Sequence, residues 1–236
     1  MGAIAAALQA CRKRIGEACH AAGRVEDCAR LVAVSKTFPV ASIREAYAAG
    51  QRVFGESYIQ EVLPKQTQLE DLEIEWHFIG PLQSNKTRQI AANFAWVHGL
   101  DRLKIAQRLS EQRPPELPPM QVCIQINVSG ETSKSGVEPD AALALAVQVA
   151  ALPNLKLRGF MTIPEAALDP RMQHERFRKV ARLLHTAPSA GLELDTLSMG
   201  MSDDLEAAIH EGATLVRVGT AIFGARPPIE HKQQEQ

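Results

Sequence analysis

The chain has 236 residues, 45% of them hydrophobic, and a formal net charge of -1. This is enough apolar chain for one α/β barrel or one large doubly wound domain, and the near-neutral charge gives no argument for binding nucleic acid or a membrane. The four cysteines form no Cys-x-x-Cys pair and have no histidine at metal-ligand spacing. We therefore expect a reduced, cytoplasmic chain without a metal site.

Residues 1–22 are predicted to form an N-terminal helix that ends near Gly23. The apolar start of this segment superficially resembles a signal peptide. No basic segment precedes it, however, and it continues directly into a charged helical pattern. No stretch of the chain is long enough to be predicted as a membrane span.

Eight short apolar runs are predicted as strands: 31–36, 52–56, 75–80, 94–99, 121–127, 156–162, 194–199 and 215–219. Most intervals between them have helical patterns, at 42–49, 101–112, 140–151, 170–184 and 203–210. Strands that alternate with helices favour a (β/α)₈ barrel, a TIM barrel, over an open sheet. Because no linker interrupts the alternation, we expect a single domain over residues 1–236, with a loose polar tail at 227–236.

Two helix starts carry capping signals. Asp101 is predicted to cap the helix over 101–112. Asp203 and Glu206 form a variant of the capping-box pattern at the start of the helix over 203–210.

Lys36 ends the first predicted strand, just before the turn at Thr37-Phe38-Pro39. The carboxyl ends of parallel strands are where α/β proteins place their chemistry. An amine at the edge of a core is costly unless it is paired or loses its proton, and a Lys with a lowered pKa suits Schiff-base chemistry. The alternative is a side chain that extends its ammonium group into solvent.

The segments after the seventh and eighth strands, 198–204 and 217–224, supply glycines and hydroxyls where barrels bind phosphate. Ordinary turn chemistry is the alternative for either segment alone. Asp203 and Asp204 would repel a phosphate unless they cap the helix and point away. Arg217 shares its strand face with Gly219 and is predicted to point into the barrel, either toward a ligand or into an interior ion pair.

Seven segments, in order, resemble the pyridoxal phosphate homeostasis proteins, also called the proline synthase co-transcribed or YggS-like family. The resemblance covers nearly the whole chain. The matching segments are 32–37, 54–61, 76–86, 127–131, 159–164, 198–202 and 216–224.

The resemblance implies a fold-type III barrel that binds pyridoxal 5'-phosphate (PLP), like the N-terminal domain of alanine racemase. It implies that Lys36 carries PLP as an internal aldimine, that Ser198, Gly219 and Thr220 contact the phosphate, and that Arg217 meets the pyridine nitrogen. The candidate cofactor-binding residues are Lys36, Ser198, Gly200, Arg217, Gly219 and Thr220, with Ser57, His77, Asn85 and Met161 as further candidates. Ser57 stands where the family usually has Asn, and packing in the core is the alternative for His77.

An Arg at the pyridine nitrogen only donates, so it should keep that nitrogen unprotonated and make PLP a weaker electron sink. Two-base racemisation also needs a second acid or base, which alanine racemase takes from a further domain that we do not expect here. The chain has only two tyrosines, Tyr47 and Tyr58. We therefore expect a PLP carrier in PLP homeostasis without strong catalytic activity.

Such a carrier would limit the free aldehyde and deliver PLP to apo PLP-enzymes, which are its expected partners. We expect a monomer rather than an obligate dimer. One alternative is a PLP-dependent amino-acid racemase or lyase. The other is a barrel that binds a different phosphate metabolite, with Lys36 only as a charge partner.

Overall fold

A computed structural model describes residues 2–129, 135–165 and 169–225. Eight parallel strands pair in chain order, and β8 pairs with β1 to close the barrel. The strands are β1 Arg30–Val34, β2 Val53–Glu56, β3 Glu75–Phe78, β4 Trp96–Leu100, β5 Met120–Gln125, β6 Leu155–Met161, β7 Thr196–Ser198 and β8 Leu215–Val218. The predicted (β/α)₈ barrel is confirmed, with each predicted run overlapping one observed strand.

Helices surround the barrel: α1 Ala3–Ala21, α2 Val40–Ala48, α3 Ile59–Gln68, α4 Thr87–Asn93, α5 Leu103–Gln112, α6 Pro139–Ala150, α7 Pro170–Thr186, α8 Leu205–His210 and α9 Thr220–Phe223. The predicted N-terminal helix is confirmed as α1, which buries Leu8, Cys11 and Ile15 and packs against α8 and α9. None of the described helices is both long and apolar enough to cross a membrane. The predicted tail at 227–236 lies outside the described residues.

Both capping predictions are wrong. α5 begins at Leu103, and no side chain caps it. At α8, Asp204 accepts a hydrogen bond from the Met201 N–H at 2.6 Å, while Glu206 pairs with Arg14 of α1. At α8, a turn contact therefore engages Asp204 and a tertiary ion pair engages Glu206, so the capping box that the local pattern predicted does not form.

The apolar core has two parts. Most of it lies between the outer face of the strands and the helices, where parallel strands are covered and therefore read as continuous apolar runs. A smaller cluster fills the barrel interior, formed by Val32, Val53, Trp96, Cys123, Met161 and Leu215. This interior layer supports the carboxyl ends of the strands, where the candidate site lies.

Candidate functional site

A cavity of about 510 Å³ opens where β1 and β8 end. Its walls combine a lysine, two arginines and hydroxyl side chains with apolar surface. The lining residues are Arg14, Val34, Lys36, Phe38, Ile79, Ile163, Met201, Ser202, Asp203, Arg217, Gly219, Thr220 and Ala221. A larger cavity of about 1320 Å³ runs along α1, away from the strand ends. We place the chemistry in the smaller cavity because it joins an amine and a buried guanidinium.

Lys36 is half-buried and lies in the wall of this cavity, two residues after the end of β1. The next residue, Thr37, has a φ of 70°, in the left-handed region that non-glycine residues rarely adopt. Phe38 then packs its ring 5.1 Å from that of Phe223 in α9. The turn after β1, which carries Lys36, therefore packs against the helix that follows β8.

Side chains from β2 and α3 hold this turn. Glu61 accepts a hydrogen bond from the Thr37 N–H at 2.6 Å, and Lys65 donates to the Ser35 carbonyl at 3.1 Å. Lys65 also pairs with Glu61 and with Oε1 of Glu56, 3.0 Å away, which in turn accepts from the Ser35 hydroxyl at 2.7 Å. The second family segment, 54–61, thus supports the first, in addition to forming its own strand.

Arg217 is buried, and its guanidinium bonds to neutral groups. Nη1 donates to the Ser198 hydroxyl at 2.7 Å, and Nη2 donates to the Thr162 carbonyl at 2.8 Å. Burial lowers the pKa of Arg217 to about 10, with Asp204 opposing that shift, so the side chain is still a cation at neutral pH. The arrangement is therefore not the hydrogen-bonded interior ion pair that the sequence left open.

A chain of hydrogen bonds continues from Arg217 into the barrel. The Ser198 hydroxyl lies 2.7 Å from Nδ1 of His98, and Nε2 of His98 lies 2.8 Å from Nδ1 of His77. Nε2 of His77 lies 2.7 Å from a carboxylate oxygen of Glu75. Because a carboxylate only accepts, Nε2 of His77 donates to Glu75, and with both imidazoles in the neutral form every other proton in the chain also points toward Glu75. This network assigns the Nε2–H tautomer to both histidines.

Burial disfavours the protonated form of both histidines. Burial lowers the pKa of His77, and it lowers the pKa of His98 well below the usual 6.5, where repulsion from a protonated His77 and from Arg217 adds to the effect. The hydrogen bond from His77 is the main cause of the lowered pKa of Glu75. Glu75 is also paired with Arg30, 3.1 Å away, at the start of β1. The chain therefore crosses the barrel from its amino-terminal end to the cavity.

The other end of the cavity carries groups that can bind an anion, although Asp203 also lies in this wall and its carboxylate opposes one. α9 begins at Thr220, and the first N–H groups of a helix have no partner within the helix. Hydroxyl side chains of Thr220 and Ser202 lie in the same wall. Arg14 reaches this end from α1, donating to the Ser202 carbonyl at 2.7 Å while its guanidinium pairs with Glu206.

Two glycines near this end have structural roles. A Cβ on Gly219 would lie 3.1 Å from the Val34 carbonyl oxygen, so glycine permits β8 to pack closely beside the end of β1. Gly200 has a φ of 95°, and a Cβ there would lie 2.6 Å from that of Ala208 in α8. The chain can turn back toward α8 because Gly200 has no side chain.

A family model described as alanine racemase, N-terminal domain, matches residues 7–227. The chain is 60% identical over 226 residues to the pyridoxal phosphate homeostasis protein of Pseudomonas aeruginosa, covering 96% of this chain and 97% of the relative. It is 51% identical over 234 residues to the protein of that name from Escherichia coli K12, covering 96% and 98%. This chain belongs to the pyridoxal phosphate homeostasis protein family.

Solved structures agree with this family assignment. PipY of Synechococcus elongatus, solved with PLP bound, is 38% identical with a TM-score of 0.76, over 89% of this chain and 100% of that chain. Alanine racemase from Corynebacterium glutamicum, at 20% identity and a TM-score of 0.67, covers 97% of this chain and 62% of that one. The racemase likeness shows the shared barrel fold alone.

The family's candidate residues divide into two groups in this structure. Lys36, Arg217, Gly219 and Thr220 line the cavity. The other candidates lie outside the described walls: Ser198, His77 and Met161 are fully buried, Gly200 is in the turn against α8, Ser57 is buried beneath Gly80, and Asn85 is exposed. The cofactor contacts assigned to all ten residues remain predictions.

Several residues at the site are not apparent from the sequence. Ser202 lies in the recognised segment 198–202, and its hydroxyl type was a usable signal. Arg14 lies in a charged helical stretch with no signal for a site, and only the packing of α1 on α8 brings it to the cavity. Glu61 and Lys65 had the spacing of a helical ion pair but no visible link to Lys36.

One group of described side chains has the composition of a metal site: His174, His210 and Glu211. Glu211 already accepts hydrogen bonds from Arg178 at 2.8 and 3.0 Å and from His174 at 2.9 Å. These partners lower the pKa of Glu211 to about 2 against the opposing effect of burial. We interpret the group as an ion-pair cluster that ties α7 to α8.

Proposed function

We propose that this protein holds PLP reversibly at Lys36 and takes part in PLP homeostasis, limiting the free aldehyde and delivering the cofactor to apo-enzymes. One observation carries the proposal: Lys36, the buried cation Arg217 and the start of α9 line the same cavity. The two relatives named pyridoxal phosphate homeostasis protein, and PipY with its bound PLP, support it.

The side chains present match the chemical groups of PLP. Bound PLP supplies an aldehyde that condenses with a primary amine, forming a C=N bond and releasing water, next to an electron-accepting ring. Lys36 offers the amine. The first N–H groups of α9, with the hydroxyls of Thr220 and Ser202, offer donors for phosphate oxygens.

Arg217 supports binding more than turnover. Two of its five N–H groups bond to Ser198 and Thr162, which fixes the plane of the guanidinium. The remaining donors can bond to a ring nitrogen that carries no proton. A carboxylate at this position would keep the ring nitrogen protonated, whereas a guanidinium that only donates leaves it unprotonated. The ring is then a weaker electron acceptor, which favours a retained cofactor over carbanion chemistry.

The described cavity wall also lacks a tyrosine. Tyr47 lies in α2, with the Arg52 guanidinium 3.7 Å above its ring, and Tyr58 is 52% exposed outside the described lining. This supports a carrier over a two-base racemase, which needs acid–base groups on both faces of a substrate. Rapid, Lys36-dependent deuterium uptake at the α-carbon of amino acids in heavy water would favour the racemase or lyase instead.

The visible absorption spectrum of purified protein with added PLP tests the binding proposal. We expect an absorbing adduct that borohydride traps on one peptide, identified by mass spectrometry as the peptide containing Lys36. Lys36→Ala should abolish the trapped adduct with the fold intact, while Lys104→Ala, an exposed lysine in α5, should behave like the wild type. A single-site adduct that persists in Lys36→Ala would contradict the assignment.

A colourless protein that stays colourless with PLP would favour a barrel for a different phosphate metabolite. The recipient enzymes, the monomeric state and the cytoplasmic location are parts of the proposal that this spectrum does not test. Size-exclusion chromatography with light scattering tests the monomer, and mixing the loaded protein with an apo PLP-enzyme tests delivery by the recovery of that enzyme's activity.

A further inference from the structure

The two side chains of one ion pair on α3 form hydrogen bonds to the peptide groups on both sides of Lys36. The Thr37 N–H, after Lys36, donates to Glu61 at 2.6 Å. The Ser35 carbonyl, before Lys36, accepts from Lys65 at 3.1 Å. Glu61 and Lys65 are also paired with each other, four residues apart on the helix. The backbone at Lys36 is therefore held from one side by two side chains that do not line the cavity themselves.

These hydrogen bonds lie at a strained point of the backbone. Thr37 is β-branched and has a φ of 70°, one of two non-glycine residues with positive φ in the described part of the chain. Such a residue persists in this conformation only when its surroundings impose it. Two contacts impose it here: the Phe38 N–H donates to the Ser35 carbonyl at 3.1 Å and closes the turn, and the Thr37 N–H donates to the Glu61 carboxylate at 2.6 Å. Loss of the Glu61 bond removes one of the two contacts and lets Thr37 move toward negative φ, which would rotate the neighbouring Lys36.

The network is poorly built for stability alone. Lys65 has only 8% of its side chain exposed and Glu56 has none, so both charges are largely removed from water. Oε2 of Glu56 and Oγ1 of Thr37 are buried without a hydrogen-bond partner in the structure as described. Buried ion pairs with unsatisfied atoms rarely repay their desolvation, and strained residues concentrate at functional sites. These observations together favour a functional reason for the network.

We propose that Glu61 and Lys65 are positioning residues that aim Lys36 into the cavity by holding Thr37 in its left-handed conformation, with Glu56 fixing Lys65 from below. The inference rests on the proposed function, because it assigns the two residues to the reaction of Lys36 with an aldehyde. Neither residue contacts the cofactor in this proposal.

The test compares the rate at which PLP forms the borohydride-trappable adduct in Glu61→Ala, Thr37→Gly and the double variant. Glu61→Ala removes the acceptor for the Thr37 N–H, and we expect adduct formation to slow about tenfold. Thr37→Gly alone should change the rate little, because glycine adopts positive φ without strain. The double variant should recover to within about threefold of the wild type. Glu70→Ala, an exposed acidic residue just beyond α3, is the matched control.

The rescue separates positioning from a general loss of structure. If Glu61 only stabilised the fold, adding a flexible glycine would make the double variant worse than Glu61→Ala, and that result would overturn the proposal. An unchanged rate in Glu61→Ala would overturn it as well. If Glu61→Ala fails to fold by circular dichroism, Glu61→Met, which keeps the length of the side chain and removes the carboxylate acceptor, repeats the comparison with and without Thr37→Gly.

The same experiment distinguishes this inference from the proposed function. A wild-type protein that forms no Lys36-dependent adduct would contradict PLP binding itself. A wild type that forms the adduct, beside a Glu61→Ala variant that forms it equally fast, would contradict only the positioning role. Non-phosphorylated pyridoxal as a second aldehyde should give the same order of rates among the variants, since Glu61 and Lys65 position the amine and not the phosphate.

Discussion

Nη1 of Arg217 donates a hydrogen bond to the hydroxyl of Ser198 across 2.7 Å in the barrel interior. The single proton of that hydroxyl is directed to Nδ1 of His98, also 2.7 Å away. Ser198 therefore has no proton left for a phosphate oxygen. Its described contacts connect it to the guanidinium that we assign to the ring nitrogen, at the opposite end of the expected ligand from α9.

Ser198→Ala should therefore weaken binding of PLP and of non-phosphorylated pyridoxal by the same factor. The substitution leaves a buried guanidinium donor and a buried imidazole acceptor unpaired, so the free energy of unfolding should also fall by about 1–3 kcal/mol. Spectroscopic titration with both ligands, and denaturant unfolding, measure the two effects. Ser189→Ala, at an exposed position, is the control. A loss confined to PLP would return Ser198 to its predicted phosphate contact.

Thr220→Ala should weaken PLP binding and leave pyridoxal binding unchanged, the opposite pattern to Ser198→Ala. A hydrogen bond to a charged group contributes roughly 1.5–3 kcal/mol, which corresponds to about 10- to 150-fold in Kd. Thr220→Ser keeps the hydroxyl and should retain most of the affinity. Equal losses for the two ligands would show that Thr220 does not contact the phosphate.

The sequence predicted the barrel and the position of its cavity because both follow from local patterns. Short apolar runs that alternate with helices define the strands, and the site follows from where strands β1 and β8 end. That rule alone predicts that Lys36 and Thr220 lie in the cavity wall. Their neighbours in the chain are enough to place them.

The same rule does not predict whether the hydroxyl of Ser198 or that of Ser202 faces the cavity. β7 is only three residues long and ends at Ser198, and the left-handed Gly200 then reverses the chain. Beyond a strand end the alternation of side chains no longer applies, so the sequence does not show which hydroxyl faces the cavity. The histidine chain was hidden for a similar reason, since His77 and His98 meet only through the packing inside the barrel.

Arg14 and Glu206 should act on PLP affinity in opposite directions. Arg14 anchors the Ser202 carbonyl and brings positive charge to the anion end, while Glu206 neutralises part of that charge. Arg14→Met should weaken PLP binding about two- to fivefold at low ionic strength, the range of a partly exposed ion pair. Glu206→Gln should leave the affinity unchanged or raise it. Isothermal titration at two salt concentrations measures both, and equal losses in both variants would indicate a purely structural pair.

The two interior histidines should make the protein less stable as the pH falls below about 6.5. In the unfolded chain each histidine gains a proton near pH 6.5, whereas burial keeps the folded-state pKa of His77 and His98 lower. The unfolded state therefore binds more protons over this window, and stability falls with decreasing pH by up to about 1.4 kcal/mol per pH unit for each histidine. The loss should continue until the pH reaches the folded-state pKa values.

His98→Gln isolates this effect. The readout is the slope of the unfolding free energy against pH between 5 and 6.5, measured by urea denaturation, so a constant loss of stability in the variant does not matter. We expect the slope to fall by up to about 1.4 kcal/mol per pH unit, because one of the two buried histidines no longer titrates on unfolding. Carboxylates such as Glu75 contribute equally to both proteins and cancel in the comparison. An identical slope in His98→Gln would mean that His98 takes up its proton while still folded, against the effect of its burial and of the nearby Arg217 charge on its pKa.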